Sequence, residues 1–318
     1  MERVCVTGAG GFVASWLVKL LLSQDYIVHG TVRDPCDEKN SHLKKLEKAD
    51  ENLQLFKTDL LDYEGLCSAM AGCSGVFHVA CPVFPGPVPN PEKELIEPAV
   101  TGTRNVVNAC VKTGVKRVVV VSSVGAVMLN PNWPNDKPMD ELCWSDHAFC
   151  NQSQSFYCLG KTIAEAEALE LAKSSGLSMV SVCPSIVIGP MLQSTVNASS
   201  LLLLTLLKDG HESLENKART VVDVRDVAEA LILTYKKPKV EGRYICTSYV
   251  VSMKAMADML KSKFPIIITL KGNFTEVEED VKLSSEKLQK LGWKYRPLEE
   301  TLADSVQSYL EIGVLSKH

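Results

Sequence analysis

Residues 4–14 read Val-Cys-Val-Thr-Gly-Ala-Gly-Gly-Phe-Val-Ala, and this stretch decides the fold. Val4–Thr7 is a short apolar, β-branched run, the pattern of a strand. A helical pattern starts at Val13, with Trp16, Leu17, Leu20 and Leu21 on one face. Gly8, Gly10 and Gly11 stand between the two. A strand, a glycine turn and a helix form a phosphate cradle. The helix N-terminus offers free N–H groups and partial positive charge, and glycines let the backbone come close. The spacing Gly8-x-x-Gly11-x-x-Ala14 is a shortened form of the dinucleotide fingerprint. An ordinary turn would leave the same local trace. What separates the two is the place of this stretch at the head of an alternating chain.

That alternation runs through the first half. Strand patterns at Val4–Thr7, Tyr26–Val32, Leu53–Lys57, Gly75–Val79, Val115–Ser122 and Leu177–Cys183 stand between helical ones. The helices are expected at Val13–Leu22, His42–Lys48, Tyr63–Ala71, Glu97–Thr113 and Gln154–Ser175. Repeating strand–helix units imply right-handed crossovers and a doubly wound parallel sheet covered on both faces, an α/β fold. From Pro184 the rhythm breaks. A loop through Gly189-Pro190 leads to helices at Leu201–Leu207, Val224–Lys236, Met253–Lys263 and Glu299–Leu310, with a strand at Arg243–Thr247. The expected division is a nucleotide-binding domain over 1–183, completed by segments near 220–247, and a smaller substrate lobe over most of 184–318.

The composition fits a soluble globular protein. The 318 residues are 46% hydrophobic and 23% charged, with a net charge of −4. A mildly acidic chain lacks the basic footprint of a nucleic-acid binder, and no polybasic run faces a membrane. No apolar run reaches the roughly eighteen residues of a membrane span. Met1-Glu2-Arg3 runs directly into the first strand, so a cytoplasmic location is expected. The terminal Ser316-Lys317-His318 is near the peroxisomal Ser-Lys-Leu signal without matching it. The 11 cysteines have irregular spacing and no zinc pattern; most read as small core residues.

The second strand ends Thr31-Val32-Arg33-Asp34. A carboxylate there favours a ribose diol and NAD, and an arginine favours a 2′-phosphate and NADP. Arg33 comes first, and Lys39, Lys44 and Lys45 follow, which tips the balance to NADP; the bland alternative for the lysines is a solvated loop. Asp59-Leu60, after the third strand, would reach an adenine edge, unless Asp59 caps the following helix. Farther on, Ser122-Ser123 closes the most apolar strand, and Tyr157-Cys158-Leu159-Gly160-Lys161 follows. A helix puts Tyr157 and Lys161 on one face. An ammonium beside a phenol favours the phenolate and lowers its pKa. Such a tyrosine can protonate a carbonyl oxygen as hydride reaches the carbon. Ser123 can hydrogen-bond the same oxygen, and Lys161 can hold a ribose.

With these residues together, the chain resembles the extended short-chain dehydrogenase/reductases, and within them the plant cinnamoyl-CoA reductase and dihydroflavonol reductase group. Stretches such as GTVRDP, GVFHVACPV, VVVVSSVGAV, YCLGKTIAE and DVRDVAEA carry the likeness along nearly the whole chain. It implies a Rossmann-type fold and a catalytic set of Ser123, Tyr157 and Lys161. It further implies NADPH/NADP+ contacts along Gly8–Val13 (Gly8, Gly10, Gly11, Phe12, Val13), at Arg33, Lys39 or Lys44, at Asp59 and Leu60, at Val79 and Ala80, and along Pro184, Ile186 and Val187. The expected partner is a small-molecule carbonyl substrate, and the expected state a monomer or homodimer.

The chain also departs from that pattern. Cinnamoyl-CoA reductases carry Asn-Trp-Tyr-Cys-Tyr-Gly-Lys, where this chain has Ser155-Phe156-Tyr157-Cys158-Leu159-Gly160-Lys161. Where the CoA-using enzymes place a His and a Lys, it has Ser200-Leu201-Leu202-Leu203-Leu204-Thr205-Leu206, which would wall an apolar substrate or pack the lobe. The Cys81–Pro91 loop is longer and richer in proline. These departures favour reduction of an aldehyde or ketone over reduction of a CoA thioester, and a non-catalytic NADPH-binding protein stands as the alternative of another class. Cys150 and Cys158, a pair the group shares, read as reduced thiols rather than a redox disulfide. His78 reads as a structural histidine, Trp133, Trp144 and Trp293 as core, and Asp223, Arg225 and Asp226 as an ion-pair network between lobes. Asn197 matches a glycosylation motif but is expected to stay unmodified.

Overall fold

The computed structural model describes residues 1–83, 86, 88–207, 213–265, 273–276 and 282–316. Phe84, Pro85 and Pro87 of the proline-rich loop, and the terminal Lys317-His318, lie outside the described residues. The first part of the chain runs β1 (Arg3–Thr7), α1 (Phe12–Ser23), β2 (Ile27–Val32), α2 (Ser41–Lys44), α3 (Ala49–Asn52), β3 (Leu53–Lys57), α4 (Tyr63–Met70) and β4 (Gly75–His78). It continues with α5 (Glu97–Thr113), β5 (Arg117–Val121), α6 (His147–Gln152), α7 (Phe156–Ser175) and β6 (Ser178–Pro184). The remainder comprises β7 (Ile186–Ile188), α8 (Ala198–Leu207), β8 (Ser213–Asn216), β9 (Ala218–Asp223), α9 (Val224–Lys236) and β10 (Gly242–Cys246). After these come β11 (Tyr249–Ser252), α10 (Met253–Lys263), β12 (Asn273–Glu276), α11 (Glu286–Lys290) and α12 (Leu298–Glu311).

Seven strands form one sheet in the order β10-β6-β5-β4-β1-β2-β3, and every pairing in it is parallel. This is the doubly wound sheet read from the alternation. Side chains of a strand point alternately to its two faces, so a strand buried on both sides is apolar throughout. Val118 and Val120 enter the layer packed under α4, α5 and α7. Val119 and Val121 enter the opposite layer, with Leu17 and Leu21 of α1 and Val227 and Leu231 of α9. Leu17, Leu21 and Leu22 are fully buried, and each contributes about 1.5–3 kcal/mol as an upper estimate. The strand order reverses between β1 and β4, which opens a crevice at their carboxyl ends.

Among the described residues, two small sheets, β11-β9-β7 and β12-β8, stand apart from the seven-stranded one. Neither is legible as a strand pattern, because each strand has only three to six residues and its partner lies far away in sequence. The expected helix over His42–Lys48 shrinks to α2, because Lys48 turns the chain at φ +62. Polar contacts tie the late segments to one another and to α1. Trp16 Nε1 donates to Pro190 O at 2.7 Å, and Arg225 bridges Asp223 and Asp304 at 2.7 and 2.6 Å. Asp226 pairs with Arg296. Four leucines of α8, Leu203, Leu204, Leu206 and Leu207, are buried in the main core, so this helix packs into it. Leu201 alone of its leucines is exposed.

Candidate active site

The glycine turn lies where the strand order reverses. Gly8 has φ +65, and a Cβ there would stand 2.9 Å from Ala80 Cβ. A Cβ on Gly10 would run into Asn40 Oδ1; Asn40 is buried, and its Nδ2 donates to Asp34 O at 2.9 Å. The two glycines therefore let the segments that follow β2 and β4, at Asn40 and Ala80, close around the turn. The N-cap of α1, Gly11, has no side-chain cap, and the first turn holds no acidic residue. Its N–H groups are left open to an anion, as a pyrophosphate requires. This cradle fits a dinucleotide.

The other expected cofactor residues lie on several elements. Phe12 is buried and Val13 half-buried at the start of α1. Arg33 is exposed beyond the end of β2, and its charge helps to hold the Asp37 carboxyl below its ordinary pKa. Lys39 is tied to Asp37 at 2.6 Å, whereas Lys44 is exposed. Asp59 does not cap the next helix. It accepts from Leu61 N at 3.0 Å, and Asp62 caps α4 through Gly65 N. Leu60 is half-buried, and its carbonyl accepts from Asn105 Nδ2 at 3.0 Å. Pro184 ends β6, and Ile186 and Val187 begin β7, at the carboxyl side of the sheet.

Val79 and Ala80 both donate their N–H groups to Thr7 Oγ1, at 3.0 and 3.1 Å. With that oxygen accepting twice, the Thr7 hydroxyl proton goes to His78 Nδ1, 3.0 Å away. The ring then carries its proton on Nε2 and donates to Thr103 Oγ1 at 3.1 Å. His78 is thus a neutral structural residue that ties β1, β4 and α5. Burial, aided by the charge of Lys161, pushes its pKa down to about 3.

Ser123, Tyr157 and Lys161 meet at the end of β5. A Cβ on Gly125 would lie 3.3 Å from Ser123 Oγ, 3.5 Å from Tyr157 Cε1 and 3.1 Å from Cys158 Sγ. Ser123 is held by Gly125 N–H, which donates to its Oγ at 3.0 Å. Lys161 Nζ donates to Val121 O at 2.8 Å and is buried. Tyr157 as a whole is 36% exposed, while its hydroxyl lies inward with Ser123 and Lys161. A cleft too narrow for a water molecule lies there, lined by Cys81, Pro82, Leu95, Ala99, Phe156, Tyr157, Gly160 and Lys161.

The electrostatics differ from the simple pairing argument. Burial dominates at Tyr157 and holds its pKa above the ordinary tyrosine value. The Lys161 ammonium and a hydrogen bond with Ser123 pull it down without reversing that, and Cys81 and Cys158 push it up. At Lys161, burial opposes the charge, but Cys81, Tyr157, Glu165 and Cys183 together outweigh it, and its pKa is raised. The pair is therefore a protonated phenol beside a charged ammonium. Cys150 and Cys158 are free thiols, and burial pushes Cys158 up to about 11. Among the tryptophans, Trp293 donates to Asp226 O at 2.9 Å, Trp144 lies under Arg243, and Trp133 donates to Lys137 O.

Sequence reasoning missed Thr7, whose hydroxyl sets the β1–β4 crevice, and Asn40, which covers Gly10. Thr7 left one signal, a polar residue closing an apolar strand. Asn40 left none, because its partner is remote in sequence.

Residues 4–246 match the NAD dependent epimerase/dehydratase family. The chain is 46% identical to cinnamoyl-CoA reductase 1 of Petunia hybrida over 317 residues, which cover 99% of this chain and 94% of that one. Vestitone reductase from alfalfa (Medicago sativa) has a similar structure, with TM-score 0.84 and 29% identity, covering 99% and 100% of the two chains. Gre2 from Candida albicans in complex with NADPH superposes with TM-score 0.82 at 28% identity, covering 98% and 99%.

Proposed function

The chain belongs to the NAD dependent epimerase/dehydratase family, the extended short-chain dehydrogenase/reductases, and on that premise we propose that it reduces a small apolar or aromatic aldehyde or ketone with NADPH. It is an NADP-dependent oxidoreductase. The observation that carries the reading is the meeting of Ser123, Tyr157 and Lys161 beside an open, glycine-lined helix N-terminus.

The cradle from Gly8 to Val13 would hold the pyrophosphate, and Arg33 with Lys44 the 2′-phosphate. Bound NADPH supplies hydride to the carbonyl carbon. Ser123 Oγ and the Tyr157 hydroxyl orient the carbonyl oxygen. Tyr157 gives up its proton as that oxygen gains charge, so carbonyl, hydride and proton sum to an alcohol. A raised phenol pKa suits this role, because the acid is in its protonated form at neutral pH. Lys161 stays charged beside it and stabilises the phenolate left behind.

Tyr157→Phe tests the assignment. It should retain NADPH affinity and lose turnover by at least a hundredfold, followed as loss of NADPH absorbance. Normal turnover with weak cofactor binding would reject it. The likeness to a cinnamoyl-CoA reductase at 46% identity favours a second reading, reduction of a hydroxycinnamoyl-CoA thioester to the aldehyde. Against it, α8 carries no charged side chain to meet a CoA tail. An aromatic aldehyde and a hydroxycinnamoyl-CoA assayed side by side decide between them. Faster thioester turnover would overturn the primary reading.

A further inference from the structure

Beneath the Ser123–Tyr157–Lys161 group lies a buried ion pair that the reaction scheme leaves unused. Glu165 follows Lys161 by one helical turn on α7, on the same face, and is 1% exposed. Its Oε1 accepts from Arg243 Nε at 2.9 Å and from Ser181 Oγ at 2.6 Å. Its Oε2 accepts from Ser122 Oγ at 2.7 Å and from Arg243 Nη2 at 3.2 Å. Arg243 comes from β10, at the edge of the sheet, and is 5% exposed. It also donates to Cys143 O at 2.6 Å, Glu141 O at 3.1 Å and Ala126 O at 3.1 Å. Its guanidinium lies 3.6 Å from the centre of the Trp144 ring.

These bonds converge on residues 121–126, the segment that carries Ser123. Lys161 holds Val121 O, Glu165 holds Ser122 Oγ, and Arg243 holds Ala126 O. A buried ion pair is a poor way to gain stability, since an apolar pair of similar volume does as well or better. What it does supply is geometry, because every bond in it is directional. We propose that Glu165 and Arg243 are positioning residues, which register α7 against the end of β5 and so hold Ser123 in line with Tyr157 and Lys161. This rests on reading Tyr157 as the proton donor.

The pair also acts by charge. The groups that face Tyr157 and Lys161 are Cys81 after β4, His78 on β4, Cys158 and Glu165 on α7, and Cys183 on β6. Of these, Glu165 is the carboxylate. Its loss leaves Arg243 uncompensated and makes the site more positive. A more positive site favours loss of a proton from either member of the Tyr157–Lys161 pair, so the first proton leaves at lower pH. Either loss disables the acid.

The test is the pH profile of kcat for carbonyl reduction in the wild type, Glu165→Gln, Ser122→Ala and Tyr157→Phe. Glu165→Gln should lower kcat with little change in KM, and move the alkaline limb down on the order of one pH unit. Ser122→Ala removes one hydrogen bond and no charge, so it should lower kcat and leave the limb in place. A Glu165→Gln limb that coincides with the wild type would overturn the proposal, because loss of packing alone does not move it. If Glu165→Gln does not fold, Ser122→Ala decides by itself: unchanged kcat overturns the positioning role. Wild-type turnover in Tyr157→Phe would instead remove the reading of the site on which the proposal stands.

Discussion

Replacing Gly8 with alanine separates backbone strain from crowding. Gly8 sits at φ +65, with Ala80 Cβ 2.9 Å and Ala80 Cα 3.2 Å from the position of a new Cβ. The left-handed conformation costs an L-residue roughly 1–2 kcal/mol. Carbon atoms rest at about 3.5–4.0 Å, so Ala80 must also give way, at about 1–3 kcal/mol. The total is about 3 kcal/mol. The free protein can shed part of it by moving the turn away from β4, but a bound pyrophosphate needs the native turn. What relaxes out of the folding free energy therefore returns as lost affinity. If all of it relaxes, NADPH binds about a hundredfold more weakly, at 1.4 kcal/mol per tenfold. If none does, Tm falls by about 5 °C. Gly176 is the control, since it has φ +69 and no atom within 4 Å. Gly176→Ala should cost about 1 kcal/mol of stability and leave NADPH affinity alone. Titration of NADPH binding and thermal melts of both variants make the measurement. A Gly8→Ala protein that matches Gly176→Ala in both Tm and Kd would refute the crowding argument and the assignment of this turn to the cofactor.

Two further outcomes follow from charge. Arg33→Ala should weaken NADPH binding by about 10- to 100-fold, the worth of charge-assisted hydrogen bonds to a phosphate, and leave NADH binding unchanged; an equal loss for both cofactors would place Arg33 elsewhere. His78, with its pKa depressed to about 3, is neutral in the fold while the unfolded chain protonates near pH 6.5. The stability it supplies is full above that value and is lost as pH falls toward 3, at about 1.4 kcal/mol per unit. His78→Gln removes this slope, so the Tm gap between wild type and variant should narrow from pH 7 to pH 4, and parallel curves would contradict the assignment.

Residues 4–14 and the repeated strand–helix rhythm contained the parallel sheet, because periodicity and glycine punctuation are local properties that a chain displays without folding. The same holds for Tyr157 and Lys161, whose spacing alone puts them on one helix face, and for Arg33 at the end of a strand. Long helices such as Glu97–Thr113 and Val224–Lys236 were legible to the residue. The small strands β7, β9 and β11 were not, since a three-residue run gains strand character only from a partner elsewhere. The direction of the Tyr157 shift was likewise invisible. Sequence shows the ammonium four residues away, but only packing shows how deeply the hydroxyl is buried, and burial outweighs the ammonium.

Sequence by itself therefore determined the parallel Rossmann-type architecture, the glycine turn between β1 and α1 and the shared helix face of Tyr157 and Lys161, all of which rest on short-range patterns. Only the tertiary structure decided that His78 is a neutral strut, that Asp62 rather than Asp59 caps α4, and that Glu165 reaches Arg243 across 78 positions to grip the segment around Ser123. Each of these depends on atoms brought together by burial, where a hydrogen bond or a charge gains its effect from the water it has lost.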